Sequence, residues 1–283
     1  MEKKPIPVEA TKVRDDGRQR AKGAARVAFA RRGPATRLAD LEQAGALRVL
    51  FPRPEPGTPP CAVLANIGGG VTGGDRLDVE IVWGEGAEAS VTTQAAEKTY
   101  RAVSDPAVIA NRLTVAAGAV AHWLPQETIL FDGARLERSF DAELADDAEL
   151  LACDSFVFGR SARGERVERG RVFDRWRVRR GGRLVFADAL ELDGAVADRL
   201  DRPAVAAGGL ATATLLLVSQ AAEARLSGLR EAFASGSSEA GASVFDGCLV
   251  ARLVARDAAA LRRDVAAAIG VLSGRPPPRV FAF

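Results

Sequence analysis

Apolar and polar residues alternate with a period of two through most of this chain, the pattern of strands with one face buried. Short extended runs fall at 25–30, 37–41 and 47–51, residues 61–67 read as a buried strand, and alternation runs through 76–82, 87–93, 108–115, 120–124, 128–131, 134–142, 150–158, 167–179 and 183–192. Turn signals such as Ala117-Gly118, Asp132-Gly133, Gly181-Gly182 and Asp193-Gly194 separate many of them. Short strands at that spacing predict a mainly β protein with an elongated, many-stranded solenoid-like or sandwich-like body. No fixed repeat period is visible. From residue 206 the pattern changes: a strand at 211–219, a helix at 220–235, a hairpin of 243–245 and 248–254 about Asp246-Gly247, and a helix at 258–272. The expected organisation is a lead-in at 1–22, a β-rich body at 23–205 and a C-terminal α+β portion at 206–283, packed on the body as one unit with it. The tail from Arg275 reads as extended, ending in two exposed aromatics, Phe281 and Phe283.

Composition narrows the function classes. At 283 residues and 47% apolar, the chain can bury a large core. Its 39 basic and 37 acidic residues leave a formal charge of +2, which is no footprint for nucleic acid. Basic residues are denser only in the lead-in, which lacks the apolar segment of a secretory signal and is interrupted by acids. No window reaches the ~18 apolar residues of a membrane span. Three scattered cysteines, Cys61, Cys153 and Cys248, fit reduced thiols and a cytoplasmic setting.

The common catalytic kits are missing. His122 stands alone on a strand, where it reads as a packed structural histidine, and no cysteines have metal-ligand spacing. Gly68, Gly70 and Gly73 match G-x-G-x-x-G, but the residues that follow alternate as a strand. A dinucleotide site needs a helix there, so these glycines read as a tight crossing between strands. Polar residues instead collect in knots at strand ends. Lys98 is the single lysine after Lys22, and Tyr100 the single tyrosine. Glu97, Lys98, Arg101, Glu127, Arg160 and Glu165 form either an internal ion network at a strand crossing or part of a polar, oxygen-lined interior. A hydrated divalent cation could traverse the second without being held tightly.

Four strings in series carry a family resemblance. They are Asn66-Ile-Gly-Gly-Gly-Val-Thr-Gly-Gly-Asp75, Thr92-Thr-Gln-Ala-Ala-Glu-Lys-Thr-Tyr-Arg101, Trp123-Leu-Pro-Gln-Glu-Thr-Ile-Leu-Phe-Asp-Gly-Ala134 and Phe158-Gly-Arg-Ser-Ala-Arg-Gly-Glu165. A weaker fifth is Arg177-Val-Arg-Arg-Gly-Gly-Arg-Leu-Val185. Together they resemble the urease accessory protein UreD (UreH) family. The resemblance implies a non-enzymatic maturation factor that binds apo-urease with UreF and, through UreF, the GTPase UreG, and helps bring nickel to the urease active site. It further implies an internal water-filled tunnel, with nickel in transit, no tight metal site and no bound cofactor. The matching residues expected to line it are Asp75, Thr92, Thr93, Gln94, Glu97, Lys98, Gln126, Glu127, Asp132, Arg160 and Glu165. Contact with UreF is expected on the C-terminal α+β part. Asp154 departs from the family, which more often has glutamate there, and Phe281 stands where tryptophan is common. The basic lead-in lies outside the family pattern. Two other readings stay open: a hydrolase using carboxylates near Glu127 and Glu165, and an interaction domain unrelated to nickel.

Overall fold

A computed structural model describes residues 20–54, 58–160 and 163–281. Most of the lead-in, residues 1–19, and Phe283 lie outside the described residues. The chain builds two sheets. The first, seven-stranded, has the order β14-β13-β11-β8-β5-β1-β2, from β1 (Lys22–Arg32), β2 (Ala35–Gly45), β5 (Arg76–Trp83), β8 (Ala107–Val115), β11 (Arg135–Leu144), β13 (Arg169–Arg180) and β14 (Arg183–Ala195). The second, ten-stranded, runs β16-β17-β15-β12-β9-β6-β4-β3. Its strands are β3 (Leu47–Leu50), β4 (Cys61–Asn66), β6 (Glu88–Thr93), β9 (Val120–Leu124), β12 (Glu149–Phe158), β15 (Ala211–Val218), β16 (Glu239–Phe245) and β17 (Cys248–Ala255), with the short β7 (Glu97–Thr99) and β10 (Thr128–Leu130) at one side.

The chain alternates between the sheets as it climbs. β5, β8, β11 and β13 are parallel neighbours in the first sheet, and β4, β6, β9 and β12 in the second. Parallel neighbours need a crossover, and here each crossover is a strand of the opposite sheet. That is the solenoid the alternation predicted. Successive coils start at Arg76, Ala107, Arg135 and Arg169, at unequal intervals, which is why no repeat shows in the sequence.

Three α-helices complete the described residues: α1 (Val196–Leu200), α2 (Ala222–Ala234) and α3 (Ala258–Ser273). Asp257 caps α3, its carboxylate accepting from the Ala260 N–H at 2.8 Å. α2 and α3 cover the outer face of the second sheet, where Leu229, Leu261, Val265, Ile269 and Leu272 pack on Leu151, Leu215, Leu217 and Leu253. β12 is therefore buried on both faces from Leu150 to Phe158, and β15–β17 extend its sheet. The tail departs from the extended reading, because Arg279–Phe281 forms a 3-10 turn and Phe281 is buried in the core beneath α3. An aromatic ring so close to an apolar helix face gains more from burial than from solvent. Within the polar knot after β6, residues 97–99 form the short strand β7.

Candidate functional site: a polar cavity between the sheets

The four motif strings occupy one corner of successive coils. Val71 bridges to Thr99, β7 pairs in parallel with β10, and β10 with the end of β12. The glycine run is the crossing from β4 in one sheet to β5 in the other. A Cβ on Gly73 would lie 2.3 Å from the Asp105 carbonyl oxygen, and one on Gly70 2.5 Å from the Tyr100 ring, so side chains are excluded for lack of room. Rings stack up the corner: Tyr100 meets Phe131 edge-on at 5.0 Å, and the Arg160 guanidinium lies 4.2 Å from the Phe131 centroid.

Beneath this corner a cavity of about 270 Å³ lies between the sheets. It opens beside the exposed Gly69, Gln94 and Ala95. Its polar walls come from both sheets: Asn66, Thr93, Glu97, Thr128 and Asp154 from the second, Asn111 and Arg138 from the first, with Gln126 on the connection from β9 to β10. Leu64, Leu77, Val79, Ile109, Trp123 and Phe140 supply the apolar part.

Glu97 is the ionisable group at the heart of the wall. The Asn66 side-chain amide donates to both its carboxylate oxygens, at 3.1 and 3.2 Å. Burial pushes its carboxyl up to about 7, with a further upward push from Asp75; the Asn66 amide, the Lys98 backbone N–H and the Arg138 charge pull the other way without cancelling it. Deeper in, Arg138 is clasped by two carboxylates: it ion-pairs closely with Asp154, and its Nε donates to Asp174 Oδ1 at 2.8 Å. Its Nη1 donates to Thr128 Oγ1 at 3.1 Å, and it stacks over Phe156 at 4.5 Å. Trp176 Nε1 donates to the other Asp174 oxygen at 3.0 Å. Burial works against the Arg138 charge, but the two carboxylates more than offset it and raise its pKa. Burial in turn raises the Asp154 pKa against the pull of Arg138.

Of the residues expected to line a passage, the cavity gathers Thr93, Gln94, Glu97, Lys98 and Gln126. The others sit elsewhere. Thr92 belongs to the opposite face of β6 and points into a hollow beneath the C-terminal prolines, its buried hydroxyl without a hydrogen-bond partner among the described residues. Asp75 is a turn carboxylate, accepting from the Ala21 and Thr72 N–H groups, both at 2.8 Å. Asp132 pairs with the exposed Arg101 at 2.8 Å. Glu127 pairs with Arg262 of α3 at 3.0 Å, and Glu165 forms a close pair with Arg160 at the surface. The single network drawn from these charges is thus several separate pairs. His122 packs against the Ser90 hydroxyl at 3.3 Å, and burial lowers its pKa to about 4.

Asn66 lies within one of the motif strings, whereas Asn111, Arg138 and Asp174 lie outside all of them. A signal for them exists in the alternation. Arg138 is in phase with the inward Leu136 and Phe140, Asp174 with Val172 and Trp176, and Asn111 with Ile109 and Leu113. Charges and amides on the buried phase of a strand announce either a pair or a polar interior.

The sequence model of the family described as UreD urease accessory protein matches residues 21–281. This chain belongs to the UreD family. Urease accessory protein UreD of Methylobacterium sp. strain 4-46 is 48% identical over 286 aligned residues, covering 99% of each chain. Urease accessory protein UreD 3 of Bradyrhizobium sp. strain BTAi1 is 47% identical over 262 residues, 93% of this chain and 94% of the relative. UreD of Azorhizobium caulinodans is 46% identical over 265 residues. The family match begins at residue 21, so it leaves out most of the basic lead-in, whereas the Methylobacterium alignment takes in nearly the whole chain. No helix among the described residues is long and apolar enough to cross a membrane.

Proposed function

We propose that this UreD-family chain is a non-catalytic maturation factor that binds apo-urease together with UreF and, through UreF, UreG, and that nickel on its way to the urease active site passes through the inter-sheet cavity. The observation that carries this reading is the cavity wall itself. A space large enough for several waters is lined by one titratable carboxylate, a second held by arginine, and the amides of Asn66, Asn111, Gln94 and Gln126. Such oxygen donors hold a divalent first-row cation weakly compared with imidazole or thiolate, which suits passage rather than storage. The cavity takes in neither Glu127 nor Glu165, and each has its own arginine partner, so a hydrolytic carboxylate pair gains no support. All three cysteines are free, in keeping with a cytoplasmic place of action.

The test is co-purification of the tagged chain with UreF, UreG and apo-urease, followed by metal analysis of the urease. Glu97→Gln keeps the shape and one of the two Asn66 hydrogen bonds but removes the charge. It is expected to leave the complex intact and to lower the nickel content of urease. An intact complex with unchanged nickel would refute the cavity route; failure of the wild-type chain to retain any partner would refute the scaffold.

A further inference from the structure

One short segment, Pro125–Glu127, separates the inter-sheet cavity from helix α3. Pro125 and Gln126 line the cavity; on the other side Pro125 and Glu127 line a much smaller hollow with Ser155, Leu261 and Arg262. Toward the cavity the segment is bolted to the end of β6 and to β7, which carries Glu97. The Gln126 N–H donates to Thr93 Oγ1 at 2.9 Å, and the Glu97 N–H donates to the Glu127 carbonyl at 2.9 Å. Toward the helix it is held by Arg262, whose Nη2 donates to Gln126 Oε1 and stands 3.0 Å from Glu127 Oε2. Gln126 is 3% exposed, and its Nε2 has no hydrogen-bond partner among the described residues. A buried donor left unmet costs free energy in this arrangement, so a rearrangement that satisfies it gives up no hydrogen bond at that atom.

We propose that Arg262 is the latch of a gate. With the latch closed, Pro125–Glu127 walls the cavity off from the helix side. When a carboxylate of a partner protein docked at α3 draws the Arg262 guanidinium away from Glu127, the segment swings and the cavity gains a second opening there. The Arg262 side chain is 20% exposed, so such a carboxylate can reach it. This inference rests on the cavity being the path of the cation, and it makes Arg262 a positioning residue that acts through Gln126 and Glu127.

The experiment compares wild type, Arg262→Ala, Arg262→Lys and Glu127→Gln as full chains in the co-purified complex, by hydrogen–deuterium exchange and by nickel content of urease at limiting Ni²⁺. Arg262→Ala is expected to speed amide exchange across 126–130 about tenfold while leaving β5 unchanged, and to lower urease nickel at least twofold, because an unlatched wall loses the cation. Arg262→Lys, which keeps the charge, should restore most of both. Unchanged exchange at 126–130 overturns the latch, and so does faster exchange with unchanged nickel. Should Arg262→Ala fail to fold, Glu127→Gln decides, with the same two readouts in smaller degree. Glu97→Gln keeps the two ideas apart. If it leaves urease nickel unchanged, the cavity route falls; if it lowers nickel while Arg262→Ala does not, the latch alone falls.

Discussion

The two ends of the space between the sheets are built from the same strands and differ in what those strands point inward. At one end Phe29, Trp83, Val115 and Leu144 lie side by side in register, and Trp83 Nε1 donates to the Ala89 carbonyl at 2.9 Å. That layer is close-packed and without charge. At the other end the neighbouring positions read Leu77, Ile109, Arg138 and Asp174, facing Asn66, Thr93 and Asp154 around the cavity. Burying charge there costs desolvation that a Leu or Val would not incur. The fold tolerates it by pairing each charge and by leaving room for water. Rigidity therefore resides at the Trp83 end, and the chemistry at the Glu97 end.

Removing a large group should cost about the same at both ends, and only one end should be repairable. Trp83→Ala is expected to lose about 3–5 kcal/mol of stability, read by chemical denaturation, with no second substitution that restores it. Arg138→Leu is expected to lose a similar ~3–5 kcal/mol, because it leaves Asp154 and Asp174 buried without their cation. Adding Asp154→Asn should recover a large part of that loss, since a neutral amide is cheaper to bury unpaired. If the double variant is no more stable than Arg138→Leu, the polar end is held by shape, and the contrast between the ends collapses.

The next effect is smaller and depends on pH. Glu97 titrates near 7 in the fold against an ordinary 4.5. Between those values the folded chain binds more protons than the unfolded one, so this group makes stability fall as pH rises from about 4.5 to about 7, by on the order of 3 kcal/mol at most. Glu97→Gln removes the dependence. It is expected to match wild type near pH 3.5, where Glu97 is protonated in both states, and to be the more stable at pH 8, in thermal melts across that range. Asp154 shifts in the same direction, so part of the slope remains in the variant. Equal pH slopes in the two proteins would mean that Glu97 is hydrated like a surface carboxylate.

Much of this could be read from the sequence, and the limits have physical causes. Alternation located nearly every long strand, because one inward face per strand is what a two-layer solenoid imposes. The coil period escaped detection because the crossings differ in length. β12 reads as an ordinary alternating strand, yet α2 and α3 bury its second face, and only tertiary packing decides that. For the site, rare residue types drew attention to the 92–101 stretch, and Glu97 does face the cavity. Proximity in the strings was misleading for Thr92, which alternation sends to the other side of β6, and for Asp132, Arg160 and Glu165, which sit on the outer rim of the corner. Arg138 and Asp174 do not stand out by residue type, because arginine and aspartate are abundant in this chain. Their phase along the strand, not their rarity, was the informative feature.

The rim offers the smallest expected effect and a check on where the polar interior ends. Arg160 pairs with Glu165 within exposed chain and rests on Phe131, with neither charge enclosed by the cavity. Exposed pairs of this kind contribute little, because water and salt screen them and two long side chains must be held still. Arg160→Ala and Glu165→Gln are each expected to leave the melting temperature within about 1–2 °C of wild type, at low and high salt alike. Glu97→Gln, by contrast, shifts it in a pH-dependent way. A marked loss of stability in Arg160→Ala would show that the stack of Arg160, Phe131 and Tyr100 is a joint holding the coils together. The boundary between rigid and polar ends would then have to be drawn through the corner itself and not beneath it.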